Sequence, residues 1–106
     1  AQALHLFKRE AYEDIAKELE EQKYGSHADE LETSKMLVVS PDKVQMDKAK
    51  PCDSKRFPPG RFSRNDKNSP NYSPDGVYGD PTLATAEKGR RVLEVIVSDL
   101  LKAINA

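Results

Sequence analysis

The stretch SHADELETSKMLVVSP, residues 26–41, decides how this chain folds. Ser26 offers a side-chain acceptor ahead of a helical segment, and Asp29 follows three positions later as a short variant of the capping box. Ser40-Pro41 closes the segment, because the residue before a proline avoids the helical conformation. Apolar residues become nearly continuous toward its end, at Leu31, Met36, Leu37, Val38 and Val39. We therefore predict a short motif helix over residues 27–39, buried on several sides.

One further helix is predicted on each side of the motif helix. Near the start of the chain, apolar residues recur every three or four positions, at Leu4, Phe7, Ala11, Ile15 and Leu19. This spacing predicts an amphipathic helix over residues 1–24. Near the end, Asp80 can cap a helix that has Pro81 at its first position. An apolar stripe follows, at Val92, Leu93, Ile96, Val97, Leu100, Leu101 and Ile104, and it predicts a final helix over residues 81–104.

Residues 41–80 lack any helical or alternating period. Prolines and asparagines, which favour turns, recur throughout this segment. We predict a long structured loop. So much irregular chain in a compact domain is normally functional or held against another surface, here a neighbouring subunit or a missing half of the domain.

Length and composition limit the chain to one small domain. Its 106 residues are 37% hydrophobic and 33% charged, so the core is thin and large faces are solvated or completed by partners. No apolar run approaches the roughly 20 residues of a membrane span. The chain begins with Ala1, which is expected of a processed, cleaved or incompletely observed chain, or of simple removal of an initiator methionine.

The distribution of charge and cysteine excludes several classes of protein. With 17 basic and 18 acidic residues interspersed, the chain has no broad surface for nucleic acid or anionic lipid. The one basic concentration, over residues 55–67, is diluted by acidic residues and is interpreted as a solvated loop. Cys52 is the only cysteine, which excludes an internal disulfide framework and fits a reduced, cytoplasmic setting.

His27 and Glu30 are the candidate site residues that the motif helix offers. At helical spacing, residues three apart lie on one face, so the imidazole and the carboxylate would point into the same cavity. Both suit a divalent metal such as zinc, manganese or iron, and the pair could equally combine a proton carrier with a metal ligand. Taken alone, this spacing also occurs in ordinary surface or capping arrangements.

Two ordered motifs resemble a known family. HADELETSKML at residues 27–37 resembles the pattern H-A-G-E-x-E-T-S-x-M-L, and SPDKVQMDKA at residues 40–49 resembles its continuation. GVYGDPTLATAEKG at residues 76–89 is similar to the late segment of the same family, the creatininases. The resemblance implies that residues 1–106 are the carboxy-terminal portion of one three-layer α/β domain with a mostly parallel sheet. It also implies a metal-dependent amidohydrolase that cleaves non-peptide C–N bonds in cyclic or linear amides.

The resemblance also implies roles for individual residues. His27 matches the histidine that handles protons at the scissile bond, and Glu30 matches a carboxylate that helps to hold a second metal. Glu32, Thr33 and Ser34 match supporting positions, where hydrogen bonds that fix the helix start are expected. Asp29 departs from the pattern, because the family has a glycine there; a position suited to unusual torsions or to substrate now carries a charge.

The family's other ligand motifs are missing from the sequence: an amino-terminal block of the type E-x-H-G-x-H followed by an aspartate, and a middle block of the type N-G-H-G-x-N or N-G-H-x-E. We therefore expect a second polypeptide to supply most ligands for zinc, manganese or iron, within a higher oligomer that acts on a small-molecule amide. One alternative is a non-catalytic structural subunit of a creatininase-like assembly. Another is a related sugar or lactone hydrolase, since one scaffold can host different reactions.

Overall fold

A computed structural model of the chain describes residues 9–105, which form three α-helices joined by loops and short 3-10 turns. The helices are α1 (Arg9–Leu19), α2 (Glu30–Val39) and α3 (Ala86–Ile104). The 3-10 turns lie at Pro41–Lys43, Met46–Lys48 and Pro81–Leu83. None of the helices in this range combines the length and apolar character needed to cross a membrane.

The helices enclose a small core, because α3 packs against both α1 and α2. Val92 on α3 is fully buried and Leu31 on α2 is 2% exposed; Ile15 and Ala16 of α1 complete the buried cluster. Full burial of one such aliphatic side chain stabilises a fold by roughly 1.5–3 kcal/mol. Within residues 9–105 this cluster has only four members, in agreement with the thin core expected from composition.

The expected parallel sheet is not found in residues 9–105. Backbone pairing outside the helices is limited to isolated bridges, which join His27 to Tyr78, Cys52 to Gly79, and Ser63 to Tyr72. The three-layer α/β domain is therefore not confirmed by this part of the chain, although its helical content agrees with the prediction of mostly helices and a long loop. Strands of a parallel sheet need partners, and within this range no segment supplies them.

The first helix ends earlier than predicted. α1 stops at Leu19, whereas the prediction extended it to residue 24; the part of the predicted helix over residues 1–8 lies outside the described residues. The backbone N–H groups of Glu21 and Gln22 donate to the carboxylate of Glu30 instead of continuing a helix. A distant side chain thus ends α1.

The starts of the other two helices are also corrected. α2 begins at Glu30 and not at residue 27, because Asp29 is its N-cap. α3 begins at Ala86 and not at residue 81, because Thr85 caps it by accepting from the N–H of Lys88. The Asp80-Pro81 signal starts the 3-10 turn instead. The predicted carboxyl ends, at Val39 and Ile104, agree with the structure.

The end of α2 is less buried than predicted. Val39 is 67% exposed and Met36 is 41% exposed, and on α3 the side chains of Leu101 and Ile104 are 53% and 64% exposed. The continuous apolar run therefore does not indicate burial on several sides within residues 9–105. It forms part of an apolar surface shared by α2 and α3.

Candidate functional site

His27 lies in a bridged loop ahead of α2 and not on the helix itself. Its carbonyl accepts from the N–H of Tyr78 at 2.9 Å, and the carbonyl of Tyr78 accepts from Ser26 at 2.8 Å. Ala28 has a φ of +49°, so the chain turns sharply between His27 and the helix start. The bridge holds the backbone of His27 while its side chain stays exposed.

Aromatic side chains from the long loop surround this bridge. The rings of Phe62 and His27 meet in a T-shaped contact with centroids 4.7 Å apart, and Phe62 stacks on Tyr78 at 4.2 Å. Phe57 and Tyr78 also form a T-shaped contact, and the hydroxyl of Tyr78 donates to the carbonyl of Asn71. No role for these rings follows from the sequence, in which the only signal is the aromatic residues interspersed in the basic loop. The loop is thus held against the motif segment of the same chain.

Glu30 is fully buried and accepts hydrogen bonds from three residues. The N–H of Glu21 donates to both carboxylate oxygens, at 2.9 and 3.1 Å, and the N–H of Gln22 donates at 3.0 Å. The ammonium of Lys88 donates at 3.1 Å. His27 and Glu30 therefore do not share one helical face, and that prediction is wrong because the helix begins only at Glu30.

Lys88 on α3 is the cation that neutralises this buried carboxylate. Its Nζ also donates to a carboxylate oxygen of Glu21 at 2.6 Å and to the carbonyl of Leu83 at 2.9 Å. Burial lowers the pKa of Lys88, but the hydrogen bonds to Glu21 and Glu30 outweigh it, so the net shift of this pKa is upward. Lys88 therefore stays charged and uses all three of its donors.

Gln22 connects the segments around Glu30. Its side-chain oxygen accepts from the N–H groups of Glu30 and Asp80, at 3.2 and 2.9 Å. Its side-chain nitrogen donates to Asp29 at 3.0 Å and to Glu20 at 3.3 Å. Nothing in the sequence marked this residue, because its partners are distant or belong to an irregular loop.

Asp29, at the position where the resemblance leads us to expect a glycine, fits without left-handed torsions. Its φ is −99°, and its carboxylate caps α2 by accepting from the N–H of Glu32. Gly79, next to the bridge residue Tyr78, leaves room for this side chain because it has no Cβ. A Cβ at Gly79 would lie only 2.4 Å from the Cβ of Asp29. The unusual torsion falls on Ala28 instead.

The three predicted supporting residues differ in their surroundings. Glu32 is exposed, and the backbone N–H of Thr33 donates to the carbonyl of Asp29. Ser34 is fully buried; its hydroxyl donates to the carbonyl of Glu30 at 2.6 Å and accepts from the N–H of Thr85 at 3.1 Å. Ser34 thereby joins α2 to the start of α3.

The metal-binding capacity of this region is low. Across residues 9–105, no three His, Cys, Asp or Glu side chains are placed to hold a metal ion together. Glu30 already faces four donor contacts, and a carboxylate offers about four lone-pair positions. The described residues by themselves therefore do not fit a metal ion.

Glu20 provides a pH-dependent test of the local electrostatics. Burial raises the pKa of its carboxyl, the Gln22 hydrogen bond lowers it, and the Asp29 and Glu30 carboxylates raise it further, for a net upward shift. The folded state then holds the proton more tightly, so stability falls as pH rises from the ordinary carboxyl range through the raised value. Glu20→Gln should therefore raise the melting temperature near pH 7, and this gain should vanish at a pH well below about 4.

The matched control for Glu20→Gln is Asp75→Asn, in an exposed turn. Thermal melts of both variants and the wild type across this pH range give the comparison. A gain for Glu20→Gln that persists at the lowest pH would show that its cause is not the lost charge.

Comparison with known proteins identifies the family to which the chain belongs. A family model described as creatinine amidohydrolase, of the creatininases, matches residues 2–104. The mycofactocin precursor peptide peptidase of Mycobacterium ulcerans (strain Agy99) is 35% identical over 79 residues, which are 74% of this chain and 32% of that protein. The proteins of the same name from two Mycobacterium tuberculosis strains, CDC 1551 / Oshkosh and ATCC 25618 / H37Rv, are 33% identical over 78 residues, which are 74% of this chain and 31% of theirs. The chain thus spans about a third of the length of these curated relatives. No solved structure matches the chain.

Proposed function

Since the chain belongs to the creatininase family, whose members are hydrolases that generally depend on a metal, we propose that it forms the carboxy-terminal part of a metal-dependent amidohydrolase. The observation that carries this proposal is the family match over residues 2–104, which includes the His27 motif. The proposed substrate is a small molecule with a cyclic or linear non-peptide amide. The relatives are named peptidases, and this favours a peptide amide as the second substrate class to test.

His27 is the proposed catalytic residue. Hydrolysis adds water across the C–N bond, and the departing nitrogen leaves as an amine only when it gains a proton. Imidazole can supply a proton near neutral pH, and the His27 ring is exposed on a backbone held by the bridge to Tyr78. Contact with Phe62 restricts the orientations of the ring.

The proposal assigns most metal ligands to a second polypeptide, within a higher oligomer. Glu30 has no free acceptor position, and residues 9–105 contain no ligand cluster. An apolar groove of about 690 Å³ along α3, bordered by Val38 of α2 and lined in part by Val97 and Leu101, is a surface that such a polypeptide can cover. The metal would be zinc, manganese or iron. The free thiol of Cys52 supports a cytoplasmic setting for the assembly.

A non-catalytic structural subunit is the second candidate. The saturation of Glu30 favours it, because a residue matched to a metal ligand here has a structural partner, Lys88. On this view the chain would retain the packing elements of the family and not its chemistry.

The experiment compares this chain alone, the native assembly that contains it, and the assembly with His27→Ala. Intact masses of everything that co-purifies identify the second polypeptide, and a panel of cyclic, linear and peptide amides gives kcat. We expect the chain alone to be inactive, the assembly to hydrolyse an amide, and His27→Ala to lower kcat about 100-fold or more.

The control variant is Lys17→Ala on an exposed part of α1, which should keep full activity. Full activity of the His27→Ala assembly would refute the catalytic assignment. An active preparation with no second polypeptide would refute the partner assignment. An assembly that hydrolyses none of the amides would favour the structural subunit.

A further inference from the structure

The geometry points to a positioning role for Glu30: its buried carboxylate, paired with Lys88, ties the segment that carries His27 to α2 and α3 and does not bind the metal. Glu30 matches a metal-binding position in the family pattern, so this assignment departs from the resemblance. It rests on the proposed function only for the catalytic role of His27.

The acceptor positions of the Glu30 carboxylate are already occupied. Both oxygens accept from the N–H of Glu21, one also accepts from the N–H of Gln22, and the other from Lys88. These contacts occupy the lone pairs that a metal ion would need. The side chain is also completely shielded from solvent, so a cation could reach it only if a group packed over it moved away.

The negative charge of Glu30 is already balanced by Lys88. A buried carboxylate needs a cation, and Lys88 supplies one at 3.1 Å. Lys88 is itself held by Glu21 and by the carbonyl of Leu83. A divalent metal at Glu30 would displace this ammonium from three acceptors at once and leave it without them.

A path of hydrogen bonds connects Glu30 to the segment that carries His27. Gln22 binds the carboxylate through its backbone N–H, and its side-chain oxygen accepts from the backbone N–H groups of Glu30 and Asp80. Asp80 lies two residues after Tyr78, whose backbone pairs with His27. Both sides of the bridge are therefore anchored to the Glu30 network. Loss of the Glu30 charge should shift the His27 ring without removing any group from it.

The test uses the complete native assembly with Glu30→Gln and with Glu10→Gln as the matched control. Glu10 lies on α1, away from the motif segment, and its side chain is exposed. Metal content is measured by elemental analysis of folded protein. The position of the His27 ring is followed by NMR of histidine-labelled chain, through the resonance that disappears in His27→Ala.

We expect Glu30→Gln to retain the metal content of the wild type, to move the His27 resonance, and to lower kcat at least tenfold with an unchanged shape of the pH profile. Loss of about one metal equivalent from folded Glu30→Gln would overturn the inference, and so would an unmoved His27 resonance. Glu10→Gln should leave the His27 resonance where it is.

If Glu30→Gln does not fold, Lys88→Arg carries the same test, because it keeps the charge and changes the geometry at Glu30. Retained metal with a moved His27 resonance supports the inference; lost metal or an unmoved resonance overturns it. Neither readout needs hydrolysis. A wild-type assembly that hydrolyses no amide therefore refutes the proposed function alone, and if it holds no metal, the resonance decides the positioning role.

Discussion

Gly89→Ala should lower the free energy of unfolding by about 3 kcal/mol, the upper part of the range for overpacked sites. Helix propensity alone predicts the opposite sign, since alanine is favoured over glycine in a helix interior by about 1 kcal/mol. At Gly89, however, a Cβ would lie 2.0 Å from the carbonyl oxygen of Ser34 and 2.6 Å from its carbonyl carbon. These are backbone atoms of α2, so the helices must separate to admit the methyl group.

Urea unfolding of the wild type, Gly89→Ala and Ser98→Ala measures this effect. Ser98 is an exposed position of the same helix; serine already carries a Cβ, so alanine adds no atom there and a small gain in stability is expected. If Gly89→Ala proved as stable as the wild type, α2 and α3 would not approach each other as closely as described.

Lys88→Met should lower the free energy of unfolding by about 3–5 kcal/mol, because it leaves a buried carboxylate without its cation. The side chain of Glu30 is 0% exposed and that of Lys88 is 14% exposed, so water cannot replace the lost ammonium easily. The double variant Glu30→Gln with Lys88→Met should lose less stability than the sum of the two single variants, since neither charge is then left unpaired.

The control is Arg90→Met, two positions along α3. Arg90 pairs with Glu87 at the surface, with side chains 56% and 66% exposed, so its loss should change stability by no more than about 1 kcal/mol. Unfolding curves for the single and double variants provide the comparison. Equal losses for Lys88→Met and Arg90→Met, or strict additivity in the double variant, would show that the buried pair is not coupled.

The sequence predicts those features of the helices that depend on neighbouring residues. The predicted carboxyl ends at Val39 and Ile104 agree with the structure, and the apolar spacing predicted α1 and α3. The starts were misplaced because several polar residues compete as caps: Asp29 caps α2 in place of Ser26, and Thr85 caps α3 in place of Asp80. Which candidate wins depends on contacts outside the helix.

In the candidate site, too, the sequence predicts what local motifs determine and not how the residues are arranged in space. Two ordered motifs were enough to predict the family, and the family model confirms it over residues 2–104. The relation between His27 and Glu30 was mispredicted, because the three-residue spacing was interpreted as one helical face. A left-handed Ala28 and the bridge to Tyr78 separate the two residues instead.

The sequence by itself determined the family, the number of helices in the described range and the thinness of the core, since these follow from motifs, apolar periodicity and composition. Only the tertiary structure decided that Glu30 pairs with Lys88, which lies 58 residues further along the chain. It also decided that Gln22 joins both sides of the His27 bridge. Burial makes each charge and each polar group require a partner, and packing, not proximity in sequence, determines which partner is within reach.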